Sequence, residues 1–252
     1  MATDAMRQQV VVRRNRPANP AWDRVFFSGM ILLLWATVLF GFAKTYFLAG
    51  MVTAPLPNAL IHVHGAAFTL WMMLLLVQET LIAGRKIKWH KQLGLAGFGL
   101  ALAMVVLGIL AATDSMRRGS DGHSGLGAET FYAIPITGIL TFAVLVYLAY
   151  RDRFRPGAHK RLILIATIGI TVAAVARWPV GFIHTNPPSR ILVILGYLLL
   201  VVAYDLLSLG RVLKTTIWAS VLTMVLLVGA VPLGFTPAWH AFAHRMATVL
   251  KV

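Results

Sequence analysis

The chain has 252 residues, 59% of them hydrophobic and only 12% charged, with a mean hydropathy of +0.78, a balance that excludes an ordinary soluble domain. Its formal charge of +15 would suit nucleic-acid binding in a soluble protein, but the bases are distributed as in a protein inserted in a bilayer. Cysteine is absent, which excludes disulfides, thiolate metal centres, iron–sulfur clusters and covalently attached c-type haem.

Residues 1–24 form a basic, polar arm containing Pro17 and Pro20, and residues 25–252 read as one membrane domain. Seven apolar runs follow one another at about 26–48, 59–83, 93–113, 131–150, 162–183, 191–209 and 217–234. Each has close to the ~20 residues that cross a ~30 Å hydrocarbon core. Backbone polar groups in hydrocarbon must be satisfied within each run, so the sequence predicts an all-α polytopic bundle of seven helices. After Gly234, the stretch Thr236-Pro237-Ala238-Trp239 predicts a cap and restart, giving a short amphipathic helix that ends the chain.

Orientation follows from the bases. The arm carries Arg7, Arg13, Arg14, Arg16 and Arg24, and the link after the second run carries Arg85, Lys86, Lys88 and Lys91. The link after the fourth run adds Arg151, Arg153, Arg155, Lys160 and Arg161, and the link after the sixth adds Arg211 and Lys214. That bias predicts the N-terminus inside and the C-terminus outside, in a bacterial inner membrane. The expected partners are the bilayer with its anionic headgroups and subunits of a membrane complex, with no nucleic acid.

Polar residues within the runs are few, so each is a candidate. His64, Trp71 and Gln78 on the second run are seven apart and drift only about 20° per step, which puts them on one stripe. His62 lies roughly 200° around the helix from its neighbour His64, so the two are expected to face opposite ways. The outer end of the bundle should collect Asp114, His123, Glu129, Arg177 and His184, with His240 and His244 spaced i,i+4 in the terminal helix. Arg177 is expected to snorkel or to pair with Asp114 or Glu129, and His64 to contact the fifth run near Arg177 or the third near Asp114. At the inner end lie Glu79, His90, His159, Arg161 and Asp205, and Asp205 calls for a salt bridge to Arg161 or Arg211.

His90-Lys91-Gln92-Leu93 opens the third run and His159-Lys160-Arg161-Leu162 opens the fifth, an echo that suggests a repeated helical hairpin. Two histidines at equal depth on equivalent helices could clamp one b-type haem, with His90 and His159 as iron ligands and His64 a second cofactor candidate. The plainer alternative makes both of them interfacial residues beside Lys91 and Lys160.

Together, His62-Val63-His64-Gly65 with Trp71, Trp89-His90-Lys91-Gln92-Leu93-Gly94, His159-Lys160-Arg161-Leu162 with Ala166-Thr167, Arg177-Trp178 and Tyr204-Asp205-Leu206 resemble an uncharacterised family of bacterial multi-span membrane proteins. That resemblance implies the shape and no activity. A more distant similarity is to the ascorbate-type transmembrane b-cytochromes, which implies haem held at helix ends; the fourth run has no histidine to partner His64. His64, Asp114, His240 and His244 also imitate the ligand list of the seven-span zinc-dependent hydrolases. Three functions are therefore expected to compete: a haem b-binding redox or haem-handling protein, a non-enzymatic membrane module such as a small transporter, assembly factor or complex subunit, and a metal-dependent hydrolase.

Overall fold

A computed structural model describes residues 19–48, 58–122 and 124–250. Most of the basic arm, the first outer loop, His123 and the side chain of His184 lie outside the described residues. Ten α-helices are described: α1 Pro20–Phe42, α2 Ala59–Ala83, α3 Ile87–Arg117, α4 Ala128–Arg151, α5 Pro156–Ile170, α6 Val172–Val175, α7 Gly181–Thr185, α8 Pro187–Leu209, α9 Lys214–Gly234 and α10 Pro237–Val249. A π-helical turn, Ala43–Phe47, extends α1. Seven segments are long and apolar enough to span a bilayer, and no strand occurs among the described residues, so the chain is an all-α, multi-pass membrane protein. We call the end that holds the start of α1 and the basic links the inner end.

Local chemistry sets the helix limits. Asn58 caps α2, its Oδ1 accepting from the Ile61 N–H at 3.0 Å, and Thr236 caps α10, its Oγ1 accepting from the Trp239 N–H at 3.2 Å. Pro156, Pro187 and Pro237 occupy first helical positions, where a missing N–H costs nothing. The third span starts earlier and ends later than its apolar core, which places His90 in the first turn of α3 and Asp114 in its last.

The bundle is built around α4 and α5, the most enclosed spans, with 50% and 61% of their apolar windows buried. Helix α4 packs on α3, α5 and α9, and α3 is flanked on its other side by α2. Small residues let these helices approach: a Cβ on Gly97 would stand 2.6 Å from Leu74 of α2, and one on Gly108 2.9 Å from Ile139 of α4. Helix α10 folds back on α4 through the buried Trp239, whose Nε1–H donates to the Glu129 carbonyl at 2.9 Å.

The fifth span departs from expectation. The apolar run 162–183 predicts one uninterrupted helix; instead α5 stops at Ile170, a single turn forms α6, and 176–180 leaves helical geometry before α7. Pro179 has no N–H and disfavours helical geometry at Trp178, so a helix cannot run through this point undisturbed. Upstream the chain tightens into three-residue hydrogen bonds, from Thr171 N–H to the Ile168 carbonyl (3.1 Å) and from Arg177 N–H to the Ala174 carbonyl (3.0 Å). The break packs on α1. Trp178 Nε1–H donates to the Thr37 carbonyl at 3.2 Å, and the Ala174 carbonyl lies where a Cβ on Gly41 would be, 2.1 Å away.

Candidate functional site

The inner end holds a dense polar network. Arg161, 2% exposed, donates from Nε (2.9 Å) and Nη2 (2.5 Å) to Asp205 Oδ1. Asp205 is fully enclosed, and its Oδ2 accepts from the Thr216 hydroxyl at 2.6 Å and the Leu213 N–H at 3.1 Å. Of the two bases proposed for Asp205, Arg161 is therefore its partner. A second knot, which the sequence did not single out, joins the start of α1 to α5 and α8: Lys160 pairs with Asp23, which also accepts from the Tyr204 hydroxyl at 2.6 Å. Glu79 accepts from Ser28 at 3.5 Å.

His90 and His159 are each the fourth residue of their helices, α3 and α5, at the same end of the bundle. Their proton states differ. The His159 Nδ1–H donates to the Ala149 carbonyl at 2.9 Å, which leaves the Nε2 lone pair available as a metal ligand would need it. Gln78 satisfies its amide when its oxygen accepts from the Gly94 N–H (2.8 Å) and its nitrogen donates to His90 Nδ1 (2.6 Å). That arrangement puts the His90 proton on Nε2, so His90 is a hydrogen-bond donor there. The pair as arranged suits an iron clamp at His159 only, and among the described residues no group of three His, Asp or Glu side chains is disposed to hold a metal ion.

The remaining candidates are separated. Trp71, 2% exposed, donates from Nε1 to Thr167 Oγ1 at 3.2 Å and meets Phe142 edge-on, a packing role. Asp114 binds Arg118 (2.9 Å) and Asn58 (3.1 Å). His240 and His244 both close on Glu129, at 2.6 and 3.1 Å. The hydrolase-like list therefore divides among three sets of contacts, with His64 in neither of these two, and neither Asp114 nor Glu129 is an ion-pair partner of Arg177.

The outer end instead gathers around the break in the fifth span. His64 turns a buried Nδ1 into the bundle, and Phe68 lies 4.3 Å away between centroids. Its Nδ1 is buried with no hydrogen-bond partner. Arg177 is within electrostatic range of both His64 and Arg190. Its guanidinium sits 4.9 Å from the centre of the Phe42 ring, and Nη1 donates to the Ala173 carbonyl at 2.7 Å. From the π-helical turn after Phe42, Tyr46 lies against Gly65, filling the space a Cβ there would take, and donates to the His62 carbonyl at 3.2 Å. His62 itself is exposed, on the side away from the bundle. The chain matches no protein-family model, no curated protein and no solved structure.

Two irregular elements thus border one polar cluster: the π turn that ends α1 and the broken fifth span. Sequence reasoning found His64 and Arg177 because both are polar groups inside apolar runs. It missed Phe42, Tyr46 and Arg190. Arg190 offered a signal, since it is a charge three residues into a proline-started apolar run. Phe42 and Tyr46 offered none, because an aromatic side chain at a helix end is ordinary at a membrane interface.

Proposed function

We propose that this protein is a small membrane carrier whose substrate enters from the outer face at the break in the fifth span. The observation that carries this reading is Arg177, a cation on non-helical backbone near the outer end of a spanning segment, beside the inward-facing His64. Interrupted helices at membrane depth are tolerated where they are buried in protein or line a water-filled cavity, and transporters build their substrate sites from them. Ionisable groups at such positions mark solute pathways.

The absence of native cysteine makes the test clean. A single thiol placed by Arg177→Cys should react with a membrane-impermeant maleimide added outside intact cells, because thiolate forms in water and not in lipid. A thiol at Leu102, exposed in the middle of α3 and so facing lipid, should stay unreacted. Equal protection of both positions would remove the carrier reading.

A haem-handling reading has one observation in its favour, the free Nε2 of His159 fixed by the Ala149 carbonyl. Protein purified from haem-replete cells should then show a Soret band that His159→Ala abolishes. A colourless, folded preparation eliminates it.

A further inference from the structure

We propose that the turn between α4 and α5 holds the headgroup of one anionic phospholipid, with Arg153 as the side chain that grips its phosphate. This site lies at the inner end of the bundle and is independent of the carrier reading. General attraction of basic links to a bilayer spreads over every exposed base, whereas here one lipid is assigned to one ordered guanidinium.

Depth selects a headgroup. Helix α4 has 24 residues, about 36 Å at ~1.5 Å per residue, which exceeds the ~30 Å hydrocarbon core. Its last turn therefore emerges into the headgroup layer. Tyr147, Tyr150 and Phe154 expose their rings there, Phe154 at 77%, as aromatic side chains do at a membrane interface. A Phe ring so exposed is unfavourable in water and is sheltered by lipid. The turn carries Arg151, Arg153 and Arg155 against one carboxylate, Asp152, and Arg155 stands 3.8 Å from it. Arg151 and Arg153 have no carboxylate within salt-bridge distance among the described residues. Two uncompensated cations favour a lipid of net negative charge over a zwitterionic one.

Order singles out Arg153. Its guanidinium lies over the Tyr150 ring at 4.4 Å and over the Phe154 ring at 4.5 Å from the centroids. Nη1 donates to the Tyr150 carbonyl at 3.1 Å. Tyr150 is itself held, its ring meeting Phe98 of α3 edge-on at 4.8 Å. Backbone bonds set the turn, from the Arg153 N–H to the Tyr150 carbonyl (3.2 Å) and from the Arg155 N–H to the Asp152 carbonyl (2.8 Å). Rings cover the flat faces of a guanidinium and leave its edges open. With Nη1 anchored, the edge formed by Nε–H and Nη2–H remains, and that pair meets two phosphate oxygens side by side. Ordering before binding reduces the entropy lost when the lipid arrives. A free phosphate would make the same contacts but would give no shelter to Tyr147 and Phe154, so the assignment is to a lipid.

The test is native mass spectrometry of the full-length protein in detergent, titrated with phosphatidylglycerol and, as reference, phosphatidylcholine. The first phosphatidylglycerol should bind more tightly than the first phosphatidylcholine. Arg153→Gln should weaken it at least about tenfold, the effect of losing a charge-assisted contact. Arg151→Gln and Arg155→Gln remove the same charge from the same turn, and each should weaken it less than about threefold, as for an exposed charge held by no ring. Arg153→Lys keeps the charge without the fork and should recover only part of the loss. Phe154→Leu keeps an apolar side chain but removes one ring from the guanidinium, and should cost about two- to threefold. Equal losses in the three Arg→Gln variants would mean that bulk charge alone attracts lipid, and would overturn the proposal. No preference for phosphatidylglycerol would overturn it as well. Release of the bound lipid by an equal concentration of glycerol 1-phosphate, which has the phosphate without the acyl chains, would assign the turn to a soluble anion instead.

Discussion

Asp205→Ala is expected to destabilise the bundle by about 3–5 kcal/mol, the cost of breaking a buried ion pair from one side. The reason is the number of groups left stranded. Arg161 would remain charged at 2% exposure, and the Thr216 hydroxyl and Leu213 N–H would lose their shared acceptor. Those donors come from α5 and from the turn into α9, so one carboxylate on α8 ties the end of its own helix to the next span and to α5, 44 residues earlier. Asp205→Asn keeps an oxygen acceptor and should cost less. The double variant Arg161→Met with Asp205→Leu removes both charges and should be distinctly milder than the two single losses added together. Thermal unfolding in mild detergent, followed by circular dichroism, measures these variants, the single variants Arg161→Met and Asp205→Leu, and the parent chain. Equal melting temperatures for Asp205→Ala and the parent chain would show that the pair contributes no net stability.

Gly41→Ala should come next in severity. A methyl group there would meet the Ala174 carbonyl oxygen at 2.1 Å and its carbon at 2.7 Å, and backbone atoms cannot swing aside as a side-chain tip can. Overpacking typically costs about 1–3 kcal/mol, and a contact with backbone belongs at the top of that range. Since α1 must move away from the break, the Trp178 to Thr37 hydrogen bond should lengthen too. Gly29, on the same helix with nothing within 4 Å of the place a methyl would take, is the matched control, and Gly29→Ala should be neutral or slightly stabilising. A Gly41→Ala protein with an unchanged melting temperature and unchanged Trp178 fluorescence would mean that α1 does not press on the break.

The seven spans were legible because hydrocarbon imposes length and apolarity on every one of them. The inward turn of His64 was legible too, from a seven-residue stripe that needs only helical geometry. What remained hidden depends on neighbours. Pro179 sits in an apolar run long enough to cross the membrane, so hydropathy passed over a break that hydrogen bonding reveals. The difference between His90 and His159 was invisible for another reason: the sequence makes them an echo, but Gln78 reaches one and the Ala149 carbonyl the other. Asp205 lay between these extremes, since its need for a base was plain while the choice of Arg161 over Arg211 required knowing which helices touch.

The knot at Asp23 has a bearing on biogenesis. The first helix leaves the ribosome long before Lys160 and Tyr204 are made, and those two residues hold its carboxylate. Until the fifth and sixth spans arrive, that helix can dock only on the second span, through contacts such as Ser28 to Glu79 and Trp35 Nε1–H to the Met72 carbonyl. Its contacts with Lys160 and Tyr204 close a loop of more than half the chain, so α1 completes its packing only after those later spans are made.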